Sequence, residues 1–293
     1  MLEAKEIGLQ NREKRQGLSI PWGRIGLYAA FIIFALVVLI PIYWMVRSSF
    51  ATSIDLHTSP LNYFPPFTFK NFQTLVQQVP FFRYIFNSLV FSIMTTLLTL
   101  IASFLAAYAF ARIQFPGSGL ILWILLLTMA LPDVGTIVPL YRILAALHML
   151  DTIPGLTLVL GSALTPFTVW VLVSFIKQVP YEIEEAALMD GASLPQIFIR
   201  ILLPVTRPGL VTMGLINFIN AWNNLLFPLS FAATEASKTL SVSITEVYNG
   251  SSPYGKPWEL IMAIGVTMVA PMVILILFSQ KSIVRGLTGG AVK

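Results

Sequence analysis

Six stretches of roughly 20 residues carry no charged side chain, or in one case a single acid, and this limits the chain more than any other feature. They are Ile25–Val46, the run between Arg83 and Arg112, Gly119 to about Leu140 with Asp133 inside it, and the runs between Asp151 and Lys177, Arg207 and Glu235, and Glu259 and Lys281. A helix rising 1.5 Å per residue needs about 20 residues to cross a hydrocarbon core of about 30 Å. In lipid an open strand leaves its amides unpaired, so such runs must be helical. Barrel strands alternate over segments of about ten residues, whereas these runs are solidly apolar. Composition agrees: 56% of residues are hydrophobic and 11% charged, against about 25% charged in soluble domains. The expected fold is an all-α membrane bundle of six transmembrane helices over residues 25–280, with tails at 1–24 and 281–293.

The first run follows Lys5, Arg12, Lys14, Arg15 and Arg24, which resembles the start of a signal peptide. Signal-peptide cores run to roughly 7–15 residues. Ile25–Val46 exceeds that length and reads as a retained span. Without cysteine, disulfides and thiol chemistry are excluded. His57 and His148 are too scattered for a histidine metal site. The net charge of +5 has no dense basic run to suggest a nucleic-acid partner, and it suits loops beside anionic lipid.

Six spans bring both termini to one side. The N-terminal tail, the Arg112 turn, the 177–207 loop and the C-terminal tail hold twelve of the 18 Lys and Arg residues. The positive-inside rule assigns these segments to the cytoplasm. The loops at about 47–83, 141–153 and 235–258 are then external. Pro41, Pro132, Pro139, Pro166, Pro228 and Pro271 lie in or beside the spans, either as kinks in ordinary packing or as hinges in a translocation path.

The 177–207 loop is the most informative segment. After Pro180, Glu182, Glu184 and Glu185 crowd the first turn of an expected helix, which suits the positive end of its dipole. Gly191 is placed to end that helix in a left-handed cap. Ser193 and Pro195 open a second short helix, with Ile197, Phe198, Ile201 and Leu202 on its apolar side. Pro204 and Pro208 are expected to end it. Small residues, an apolar face and a few charges make a docking element for another protein. The alternative is an amphipathic loop on lipid, which the acids disfavour beside an anionic leaflet.

Glu185-Ala186-Ala187, then Gly191, then Ile201-x-Leu203-Pro204 resembles the EAA loop of ATP-binding-cassette (ABC) importer permeases. Met129 to Tyr141, Thr165-Pro166-Phe167, Trp222-Asn223 and the ending Gly286 to Lys293 resemble the carbohydrate-uptake branch, in particular the shorter six-span partner of a permease pair. The likeness covers about residues 20–293. It implies a type I importer bundle whose loop is a coupling helix. Glu184, Glu185, Ala186, Ala187, Asp190, Gly191, Ile201, Leu203 and Pro204 are then the candidates for contact with an ATPase pair. It also implies a second, longer permease, an extracytoplasmic solute-binding protein and a bacterial or archaeal inner membrane. No phosphate-cradling glycine loop leads into Lys-Ser or Lys-Thr, so ATP and magnesium are expected on the partner ATPase, and no enzyme activity is expected of this chain.

In the fifth run Asn217, Asn220 and Asn224 share one helical face, with Trp222 nearby. Amides and an indole suit a polyhydroxylated solute, making these four candidates for a solute path. The alternative is hydrogen bonding between helices. Tyr248, Asn249 and Tyr254 in the last external loop are candidates for contact with the binding protein. Asp133, the one acid inside a span, leaves open an ion-coupled carrier acting without an ATPase. Such a carrier wants titratable groups in several spans, and only one is found. A membrane scaffold would need neither the filled loop pattern nor the asparagine face.

Overall fold

The computed structural model describes residues 22–288 apart from 58, 59, 61 and 251–254, with side chains from 26 to 280. Residues 1–21 and 289–293, and with them most of the expected tails, lie outside the described residues, as does Tyr254. The described chain is helical: α1 (Trp22–Ser49), α2 (Ser53–His57), α3 (Lys70–Gln78), α4 (Phe81–Arg112), α5 (Ser118–Thr128), α6 (Asp133–Ala146), α7 (Ile153–Lys177), α8 (Tyr181–Met189), α9 (Leu194–Ile197), α10 (Leu203–Asn223), α11 (Leu226–Phe231), α12 (Leu240–Asn249) and α13 (Trp258–Thr288). Five helical stretches are long and apolar enough to cross a membrane, or six if the bent pair α5–α6 counts as one span.

The centre of the bundle is α4 packed along α7, with α10 against both. On α4, Ser88, Ser92, Thr95, Thr99 and Ser103 recur at intervals of four or three and are fully buried. Opposite them Gly161 lets the two helices approach closely: a Cβ there would stand 3.3 Å from a Leu98 methyl, a tight contact, and 3.5 Å from the Thr99 hydroxyl. Lipid supplies no hydrophobic drive between helices, so small residues that let backbones approach closely hold such pairs together. By contrast, α1 packs mainly on α13 and turns most of its apolar surface outward.

Two expectations are corrected. The third run is not one continuous span. It breaks between Thr128 and Asp133, and its halves meet at 101°. Pro132 stands at the break in an extended conformation (ψ 128°), because a proline cannot continue the hydrogen-bond ladder of the helix before it. The second correction concerns Pro204 and Pro208, which end no helix. From Leu194 to Asn223 the chain runs as a single 30-residue span. A π-helical turn at Phe198–Leu202 carries it through: the Leu203 N–H bonds to the Phe198 carbonyl five residues back. That wider turn accommodates a ring with no N–H to give. The helix stops instead at Asn223. Pro228 cannot donate to the Asn224 carbonyl, which accepts the Ser241 hydroxyl at 2.7 Å.

Candidate functional site

The chain leaves α7 at Lys177 and turns at Pro180 into α8. The Arg112 guanidinium, at the end of α4, donates Nε–H to Glu184 Oε1 at 2.6 Å and Nη2–H to the Val179 carbonyl at 2.8 Å. It also lies 5.7 Å from the centre of the Tyr181 ring. Arg112 and Glu184 are 8% and 2% exposed. One acid of the first turn therefore faces inward and fastens α8 to a transmembrane helix, while Glu182 and Glu185 face out.

The far end of α8 is closed at Gly191. Its φ is +82°, the region glycine enters without cost. Its N–H bonds to the Leu188 carbonyl, and the Ala192 N–H to that of Ala187, the paired reverse bonds of a Schellman cap. Beyond it the Gln196 carboxamide accepts the Ser193 backbone N–H at 2.8 Å, opening α9. Ile183, Leu188, Met189 and Leu194 are exposed around α8, Met189 by 89%. A patch of this kind, rimmed by Glu182, Glu185 and Asp190, is the surface expected of a docking element. Glu185, Ala186, Asp190 and Gly191 are all exposed. Ala187 and Ile201 pack partly on the core beneath, and Leu203 and Pro204 lie exposed at the start of α10.

The four solute-path candidates separate. Asn217 is buried, its Nδ2–H donating to the Thr168 hydroxyl on α7 at 3.1 Å. Trp222 is buried too, stacked on Phe218 and donating Nε1–H to the Met268 carbonyl at 2.9 Å. Both are interhelical packing groups. Asn220 and Asn224 instead line a cavity of about 740 Å³, together with Asp133 and Thr136 of α6 and Ser162 and Thr165 of α7. The break that spoils the third span is what brings Asp133 to this wall. The hydroxyls of Thr136, Ser162 and Thr165 donate to carbonyls of their own helices, as does the Asn220 amide. Oxygen lone pairs remain free to accept. Asn224 Oδ1 accepts the Phe227 N–H at 3.1 Å and caps α11. The described lining contains no cationic side chain.

At the end opposite α8, one residue that no motif or spacing singles out organises the loops. Asp151 accepts the Ala233 and Thr234 N–H groups at 2.8 and 3.0 Å and the Thr234 hydroxyl at 2.7 Å. It also accepts the Ser237 hydroxyl. Burial pushes the Asp151 carboxyl up, but these donors outweigh it and hold it at about 2. Its partners lie more than 80 residues on, so no local signal could have found it. Of the candidates for contact with a binding protein, Asn249 is exposed, and Tyr248 meets Trp258 and the Lys256 ammonium, the latter 4.4 Å from its ring.

Similarity to known proteins accords with this arrangement. The trehalose transport system permease protein SugB of Mycobacterium tuberculosis is 35% identical over 256 residues, covering 87% of this chain and 92% of the relative. The trehalose/maltose transport system permease protein MalG of Thermococcus litoralis is 34% identical over 274 residues, covering 92% and 97%. Among solved structures, a chain of a bacterial ABC transporter that imports the acidic polysaccharide alginate superposes with a TM-score of 0.77 over 90% of this chain and 98% of its own, at 21% identity. That likeness concerns the fold. Residues 99–289 match the profile of the binding-protein-dependent transport system inner membrane component, and the chain belongs to that family.

Proposed function

We propose that this chain is one of two permease subunits of an ABC importer for a sugar or related neutral polyhydroxylated solute. The observation that carries the reading is α8, an exposed apolar and acidic helix pinned to the transmembrane bundle by Arg112 and Glu184. In this reading α8 is the cytoplasmic coupling helix and seats in a separate ATPase subunit, which alone binds ATP and magnesium. The termini share its cytoplasmic side. A second permease faces the Asn220–Asp133 cavity and completes the path, and a solute-binding protein docks at the opposite end. The cavity offers hydrogen-bond acceptors, which fit the many hydroxyl donors of a sugar, and its lone carboxylate with no lining cation disfavours anions. Closing of the ATPase pair and docking of the loaded binding protein then bias one shared conformational equilibrium.

The test is affinity isolation of the tagged chain from gently solubilised native membranes. The expected company is an ATPase subunit and a second permease, both lost when α8 is disrupted at Glu185 and Gly191. Sugars should stimulate ATP hydrolysis by that complex in the presence of its binding protein. A chain that comes out alone and transports in proteoliposomes without ATP would overturn the reading and return attention to Asp133.

A further inference from the structure

A second pocket, of about 820 Å³, opens at the end of the bundle opposite α8 and shares no lining residue with the Asn220 cavity. Its walls come from α2, α3, α12 and the start of α13, with Ser53, Lys70, Glu246 and Glu259 among them. Glu259 stands in the first turn of α13 and is 7% exposed. Its Oε2 has no hydrogen-bond partner among the described residues, and neither has the hydroxyl of Ser53, which lines the same pocket. Glu246 is already committed, pairing with Lys238 at 2.7 Å. Lys70 lines the same pocket but forms no ion pair with Glu259.

An acid in the first turn of a helix gains from the dipole there, but that gain does not require burial. Withdrawing a carboxylate from water with a free oxygen is unfavourable unless a donor or cation arrives. The pocket is open at its mouth, its walls are apolar for the larger part, Ile54, Val79, Val247 and Leu260 among them, and its free group is an acceptor at depth. What fits is a cation on a long stem, because a compact surface charge would not reach a carboxylate so far buried. Metal chemistry finds no support here, since no group of three or more His, Cys, Asp or Glu residues is gathered among the described residues.

We propose that this pocket receives a lysine or arginine side chain of the extracytoplasmic solute-binding protein, with Glu259 as its acceptor. The proposal rests on the importer reading above. It gives docking a specific charged anchor, deep in this chain and separate from the solute cavity.

The experiment uses the intact transporter in proteoliposomes and the binding protein recovered with it from native membranes. ATP hydrolysis is followed as binding protein is added, at low and high salt. Glu259→Gln should raise the half-saturating concentration of binding protein tenfold or more and flatten its salt dependence, with the maximal stimulated rate still reached in excess. An unaltered half-saturating concentration and salt dependence would overturn the proposal. So would docking that a chelator abolishes and added calcium restores, because the pocket would then be a metal site. If Glu259→Gln does not assemble, Glu259→Asp keeps the charge but withdraws it by one methylene; wild-type docking by that variant would equally overturn the proposal. A wild-type complex that no binding protein stimulates would instead count against the importer reading itself.

Discussion

Arg112 and Glu184 meet at 2.6 Å with both side chains withdrawn from solvent, so the end of a transmembrane helix and the first turn of α8 move as one piece. Removing one partner of a buried pair strands the other charge, at about 3–5 kcal/mol, whereas replacing both by apolar groups of similar volume is often neutral. Arg112→Met or Glu184→Met is therefore expected to lower the melting temperature of the purified complex markedly and to leave ATP hydrolysis poorly linked to uptake. The double variant Arg112→Met/Glu184→Met should regain most of the stability. Thermal unfolding in detergent measures this, and a double variant as unstable as the two singles combined would show that the pair is not coupled.

The Gly191 cap depends on conformation alone. No atom stands within 4 Å of a Cβ built there, yet φ is +82°. A β-carbon in that region costs roughly 1–2 kcal/mol, and asparagine is the side chain that tolerates it best. Gly191→Val should reach the membrane in normal amounts but lose most uptake, while Gly191→Asn should retain most of it. Uptake normalised to membrane abundance separates the two, and full transport by the valine variant would remove Gly191 from the coupling role.

What the sequence could reveal followed the range of its causes. Gly191 and Ser193 act on their own neighbours, and both sit where local pattern puts them. The spans were visible because lipid acts on every residue of a run. Prolines were ambiguous, because their effect depends on what receives the freed carbonyl. Pro132 breaks the third span, whereas Pro204 is absorbed by a π turn. Asn217 and Asn220 were alike as residues on one face, and only the approach of Thr168 on α7 makes one a packing group. Asp151 and the partner of Glu184 were out of reach, because their contacts close over 82 and 72 residues.

Asn217 and Asn220 should answer differently to the same change. Asn217→Leu removes the contact with Thr168, and such bonds between membrane helices average about 0.6 kcal/mol and reach about 1.7. It should reduce assembly in proportion while surviving complexes still transport. Asn220→Leu sits at the cavity wall and should leave assembly intact while weakening sugar-stimulated ATP hydrolysis severalfold. Gel filtration of the complex with parallel ATPase titrations reads both. Reduced assembly in the Asn220 variant, with normal turnover per complex, would make it a packing residue as well.

Asp151 supplies a dependence on acid. Its carboxyl is held at about 2, below the ordinary 3.8, so the folded loops favour the charged form. The stability from that preference is complete above about pH 4 and is lost as pH falls through about 2, because the unfolded chain takes up the proton first. Asp151→Asn removes the titration and half of the acceptor capacity facing Thr234 and Ser237. The variant should be less stable than the wild type at pH 7, and the gap should narrow steadily from pH 4 downward, whatever the other carboxylates do to both proteins alike. Paired melting curves at matched pH read that gap. If it stays constant down to pH 2.5, the Asp151 contacts work through shape and not through charge, and the clamp between the 151 and 234 loops would be an ordinary hydrogen-bonded turn.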